Sequence, residues 1–145
     1  MTQPPAAPAA RPVLLVSSDL LFRSRVDDVA RRLGLELRVA RSPEQLERHL
    51  ANGLDPALAI VDLECDTLDP ASAIGRLRGA PWGPTLRIVG YAGHTNENAI
   101  RAGRAAGATA VLARSAFVAQ LPALLDRVVA DEQRRGGATA PEPAP

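Results

Sequence analysis

Residues 12–16 (PVLLV) form an apolar run of strand length that stops at Ser17-Ser18-Asp19. Phe22, Val26, Val29 and Leu33 follow at helical spacing, and Gly34 supplies a C-terminal stop. Residues 35–39 (LELRV) alternate apolar and charged side chains, as a half-exposed edge strand does. Ser42-Pro43-Glu44-Gln45 predicts a helix start with Ser at the N-cap and Pro at the first position. Leu46 and Leu50 give that helix its buried side, and Asn52-Gly53 ends it. Residues 57–66 (ALAIVDLECD) hold a third strand that ends in a carboxylate, Asp62. Asp69-Pro70 opens a short helix carrying Ile74 and Leu77, followed by the turn-rich GAPWGP. Residues 86–92 (LRIVGYA) predict a fourth strand. Thr95 or Asn96 is expected to cap a fourth helix closed near Gly107. A fifth strand at 110–113 (AVLA) precedes a last helix from about Leu121 to Val129, with Pro122 in its first turn.

Strands therefore alternate with helices through short connections. The mostly apolar first, third, fourth and fifth strands suit a parallel sheet covered on both faces. Right-handed crossovers favour an α/β, doubly wound open sheet of order 2-1-3-4-5, with the alternating second strand at an edge.

The two ends read differently. Residues 1–11 and 132–145 are expected to be disordered tails around a folded unit at 12–131, because their Pro- and Ala-rich composition buries too little to offset ordering entropy. Formal charge is +1, with 17 basic against 16 acidic residues, so no electrostatic footprint for nucleic acid or membrane is expected. All the basic residues are Arg; without Lys, Schiff-base and P-loop amine chemistry are excluded. Cys65 is the single cysteine, which precludes an intramolecular disulfide and fits a reducing compartment. With no leader and no long apolar run, a soluble cytoplasmic protein is expected.

An open parallel sheet places its working site beyond the C-terminal ends of its strands. Ser17 and Ser18, Asp62, Ala92 and Arg114 arrive there. With the stretch AAGATAVLARSAF (105–117) and Phe117 in register, the sequence resembles the response-regulator receiver domain over nearly all of 12–130. The resemblance implies a CheY-like, flavodoxin-like (βα)5 three-layer sandwich. It puts Asp62 at the phosphoacceptor position, Ser17 and Ser18 at the acidic pair that binds Mg²⁺, Ala92 at the Thr/Ser position and Arg114 at the Lys. Val111 takes the place of the switching aromatic near the fifth strand.

The departures matter more than the agreements. Mg²⁺ wants carboxylates, and hydroxyls replace them poorly; only Glu64 could add charge beside Asp62, Asp19 standing one residue late. Ala92 offers no hydroxyl to an incoming phosphoryl group. Arg114 keeps the charge as a planar fork, so an ion pair with Asp62 through two parallel hydrogen bonds is expected to lock one conformation.

The expectation is a stand-alone, phosphorylation-independent receiver: no enzyme and no cofactor, but a protein-interaction module. Its partner would be a signalling protein, either a histidine kinase or an output protein. By resemblance, the helix 4–strand 5–helix 5 face is the expected partner or homodimer surface. The alternative is a conventional single-domain response regulator, phosphorylated on Asp62 with Mg²⁺. A phosphatase with an aspartyl nucleophile is disfavoured because residue 64 is Glu rather than a second Asp, and SSDLLF lacks the glycines of a phosphate loop.

Other features have plainer readings. Ser17-Ser18 would cap the first helix, Cys65 would be buried, His94 would sit in an exposed loop, and Tyr91 would pack beside the fourth strand. Arg76, Arg78, Arg101 and Arg104 would be solvated, and the small residues of 99–110 would admit another helix.

Overall fold

The computed structural model describes residues 10–138. Strands β1 (Val13–Val16), β2 (Leu37–Ala40), β3 (Leu58–Asp62), β4 (Ile88–Ala92) and β5 (Ala110–Ala113) alternate with helices α1 (Leu20–Arg32), α2 (Pro43–Ala51), α3 (Pro70–Arg78), α4 (Glu97–Ala106) and α5 (Arg114–Ala138). The sheet order is β2-β1-β3-β4-β5, every neighbouring pair parallel. This is the expected doubly wound, flavodoxin-like architecture.

Strand parity divides the core into two. Leu15, Ile60 and Tyr91 face a cluster closed by Phe22 and Val26 of α1 and Leu121 and Leu125 of α5. Val16, Val61 and Ala92 face the opposite cluster, closed by Leu46 of α2 and Ile74 and Leu77 of α3. Every β3 residue is buried, while β2 alternates, as an edge strand with one covered face must.

Local signals act as their chemistry requires. Ser42 accepts from Gln45 N–H, Asp69 from Ser72 N–H and Asn96 from Ala99 N–H, and Gly107 closes α4 at φ 115°. Asp19, rather than Ser17 or Ser18, caps α1 by accepting from Phe22 N–H.

The last helix starts at Arg114, not near Leu121, and contains Pro122. Phe117, Leu121, Leu124, Leu125 and Val128 are all buried on one face of it, which outweighs the single donor that an outward proline removes. It also continues past 131. Glu132 is buried, accepting from Arg11 N–H at 2.7 Å and from Arg11 Nε at 2.9 Å and Nη2 at 3.0 Å. That pair ties Arg11 and the end of α5 to the domain, beyond both expected limits; the remaining tail expectations lie outside the described residues.

Two other surface expectations change. Arg76 grips Glu47 through two hydrogen bonds of 2.7 and 3.0 Å. Arg78 is no solvated side chain: it donates to Gly83 O at 2.8 Å, to Gly107 O at 2.7 Å and also to Leu86 O, joining the turn at 83–86 to the end of α4. The small residues of α4 admit a side chain as well as another helix, since α3 packs closely against α4. A Cβ at Gly103 would lie 2.7 Å from Leu63 Cδ1, and one at Gly90 2.9 Å from the same atom.

Candidate functional site

Parallel register brings the strand ends level: Val16 lies opposite Val61, Asp62 opposite Tyr91, and Ala92 opposite Ala113. The residues that follow therefore meet at one corner. At its centre Asp62 is 4% exposed. Its Oδ2 accepts from Ser17 Oγ at 3.2 Å and its Oδ1 from the Glu64 backbone N–H at 2.9 Å. Burial pushes the Asp62 carboxyl above its ordinary range, although the Glu64 N–H, the Arg114 charge and the Ser17 hydroxyl each pull the other way.

Ser17 is fully engaged. While donating to Asp62 it accepts from Asp19 N–H at 3.1 Å and from the Tyr91 hydroxyl at 3.4 Å. One hydroxyl has one donor and two acceptor sites, so nothing is spare. Ser18 turns outward and donates to Asp66 at 3.2 Å. Cys65 is buried, as expected, with Ser18 Oγ 3.8 Å from its sulfur.

Glu64 points away from Asp62. Its Oε1 accepts from Gly93 N–H at 2.7 Å and its Oε2 from Asn96 Nδ2 at 2.9 Å, fastening the β4–α4 loop to the end of β3. The Asn96 and Gly93 hydrogen bonds hold its carboxyl below the usual range.

Arg114 does not form the expected two-bond pair with Asp62. Its Nη2 stands 4.0 Å from Asp62 Oδ1 but 3.4 Å from Glu64 Oε1, while Nη1 stands 3.5 Å from Asp19 Oδ2. Starting α5 directly at Arg114 sets the guanidinium above the aromatic rings, 5.5 Å from the Tyr91 centroid and 6.0 Å from that of Phe22. One cation is thus shared among three carboxylates.

Tyr91 was missed as a site residue. Its parity opposes that of Ala92, so its ring stacks on Phe22 with centroids 4.3 Å apart while its hydroxyl reaches up to Ser17. Burial drives its phenol well above the ordinary tyrosine range. The signal available in the sequence was an aromatic with a polar tip one residue before a strand end. Ala92 is buried and brings no hydroxyl to the corner. His94 is exposed and borders a cleft of about 500 Å³ with Gly93, Arg114 and Val118.

The donors do not suit Mg²⁺. Asp62 is the one buried carboxylate at the corner, Ser17 has no free lone pair, and Glu64 is held on the β4–α4 loop. Among the described residues no three His, Cys, Asp or Glu side chains form a group able to hold a metal ion.

Neither a family model nor a curated protein matches the sequence. Solved structures do. A protein assigned as a response regulator from Chloroflexus aurantiacus is 27% identical, with a TM-score of 0.69 over 83% of this chain and 98% of that one. The chemotaxis response regulator CheY4 of Vibrio cholerae is 22% identical, with a TM-score of 0.67 over 81% and 98%. The receiver domain of the sensor histidine kinase PA1611 from Pseudomonas aeruginosa, with magnesium coordinated in its active-site cleft, is 21% identical, with a TM-score of 0.70 over 84% and 99%. The open sheet with its corner at the β1/β3 switch point is the CheY-like class of doubly wound fold. Within that class, the chain's fold matches that of response-regulator receiver domains.

Proposed function

We propose that this protein is a phosphorylation-independent receiver, a protein-interaction module in signalling rather than an enzyme. One observation carries the reading: both oxygens of Asp62, the hydroxyl of Ser17 and both oxygens of Glu64 already have partners from the chain itself. Phosphoryl transfer to a carboxylate depends on positioning and on neutralising equatorial charge. Serines in place of the acidic pair and Ala92 in place of a hydroxyl remove both aids. The chain-made contacts also fasten the β4–α4 loop, so the corner favours one conformation.

Output then passes through a partner, a histidine kinase or an output protein, and the face of α4, β5 and α5 is the surface on which it or a second copy would dock. A cytoplasmic setting suits the single unpaired cysteine. Among the described residues no helix is long and apolar enough to cross a membrane.

The test is incubation with acetyl phosphate and Mg²⁺, read by intact mass, beside calorimetric titration with Mg²⁺. No phosphoryl gain and no saturable Mg²⁺ binding are expected. A gain of one phosphoryl group that vanishes in Asp62→Asn would establish a conventional single-domain response regulator instead.

A further inference from the structure

Away from the corner, a groove of about 360 Å³ wraps the free edge of the sheet, between α1, β2 and α2. Leu37 and Val39 of β2 floor it, and Arg23, Arg38, Arg41 and Arg48 surround it. Among the described residues no acidic side chain lines it. Arg38 pairs with Glu36 at 2.9 Å, outside the lining. Among the described residues, the guanidinium groups of Arg23, Arg41 and Arg48 have no ion pair or hydrogen bond; Arg25, Arg101 and Arg104 share that state but not this groove, while other arginines grip Asp27, Asp28, Glu47 and Glu132.

One neutral side chain adds donors to this set. Gln45 Oε1 accepts from Arg41 N–H at 2.7 Å, which leaves its amide hydrogens as donors. His49 Nε2 lies 2.9 Å from Val39 O, and since a carbonyl only accepts, that nitrogen carries a proton. The arginines and the Gln45 amide of the lining are therefore cations and donors, while the neutral His49 imidazole, its Nε2–H given to Val39 O, keeps Nδ1 as an acceptor. In a chain of net charge +1 this is a local concentration, not an overall excess.

We propose that this groove binds a compact polyphosphate anion, such as the di- or triphosphate group of a small molecule. Guanidinium forks match phosphate oxygens two at a time, and several forks around one cavity suit clustered negative charge better than a single carboxylate. Among the described residues no Phe, Tyr or Trp lines the groove, so it lacks the large stacking platforms typical of single-stranded nucleic-acid sites. The site lies apart from Asp62 and does not depend on whether that residue is phosphorylated.

The experiment is calorimetric titration of the full chain with pyrophosphate and with tripolyphosphate at low ionic strength, then at rising NaCl. One saturable site is expected, weakened by salt. Arg41→Ala with Arg48→Ala should weaken it by at least about tenfold, the loss of two charge-assisted contacts. Arg101→Ala with Arg104→Ala, which removes two exposed arginines of α4, should change it by less than about twofold. Thermal melts of both doubles confirm that each is folded. Absent saturable binding, or equal weakening by the two doubles, overturns the proposal. Binding of a single-stranded oligonucleotide that pyrophosphate cannot displace would overturn it in favour of nucleic acid. If the Arg41/Arg48 double self-associates while the parent binds no polyphosphate, the arginines merely guard a free sheet edge.

Discussion

The corner around Asp62 and the groove over β2 are both rich in charge, and they treat it in opposite ways. At the corner, three carboxylates and one guanidinium are tied to the chain and to one another. In the groove, three guanidinium groups have no partner among the described residues. Charge absorbed into the fold is costly to alter and has little left for a ligand. Charge without a partner contributes little to the fold and is available to a ligand. The corner at the β1/β3 switch point thus belongs to the first kind, and the free edge of the sheet belongs to the second.

The sharpest way to break this contrast is Ser17→Asp. It puts a second carboxylate against buried Asp62 and removes the hydroxyl that donates to Asp62, leaving only acceptors there. A loss of about 2–4 kcal/mol is expected in urea unfolding at neutral pH, since like charge and the lost hydrogen bond to Asp62 act together. Mildly acidic buffer should recover part of it, because protonating one carboxyl relieves the repulsion. Undiminished stability would mean that the corner has slack the hydrogen bonds do not reveal.

Glu64→Ala comes next. It frees Gly93 N–H and Asn96 and leaves Arg114 with weaker company. Because about a third of the Glu64 side chain is exposed, the cost should be about 1 kcal/mol. The more telling readout is hydrogen exchange, which should accelerate at Gly93. Unchanged exchange there would remove Glu64 from any account of how the β4–α4 loop is held.

Asp62 and Glu64 should also differ in the sign of their pH dependence. The Asp62 carboxyl is raised in the fold, so the folded state holds its proton more tightly than the unfolded chain does. Its contribution is therefore favourable at low pH and is lost as pH rises from the ordinary aspartate range through the raised folded value. The Glu64 carboxyl is lowered, so its contribution is present above the ordinary glutamate range and is lost as pH falls through the lowered folded value. Asp62→Asn should remove the first trend and change stability at neutral pH by less than about 1 kcal/mol, with no net loss. Unfolding in urea at a series of pH values reads both. A marked destabilisation by Asp62→Asn at neutral pH would show that its charge supports the fold.

What the sequence made legible follows from periodicity. Val13 to Val16 and Leu58 to Val61 read as strands because apolar runs covered on both faces look like nothing else at that length. Asp62, Ser17, Ala92 and Arg114 could be placed together because strand ends in a doubly wound sheet converge. The illegible part depends on where side chains turn after the strands end. Residue spacing cannot say that Glu64 bends toward Gly93, or that this leaves Arg114 nearer Glu64 than Asp62. Leu63 filling the space over Gly90 and Gly103, and Arg78 reaching three carbonyls, depend on tertiary approach between segments distant in sequence. Nothing in their spacing along the chain sets the arginines at 23, 38, 41 and 48 apart. Only the wrapping of α1, β2 and α2 around one edge gathers them.

The smallest expected effect completes the comparison from its other side. Arg41→Ala with Arg48→Ala removes two exposed cations that hold no partner in the fold. Replacing exposed residues of this kind ordinarily changes stability within about 0.5 kcal/mol. The double should therefore unfold within that margin of the parent, and relief of repulsion among the clustered arginines would favour the stable side. Low ionic strength is the condition to use, because screening hides such repulsion in salt. A rise in stability there, vanishing on addition of NaCl, would mean that the cluster is held against its own repulsion. A clear loss of stability would mean that these side chains support the fold after all, and the distinction between absorbed and available charge would fail where it is most exposed to test.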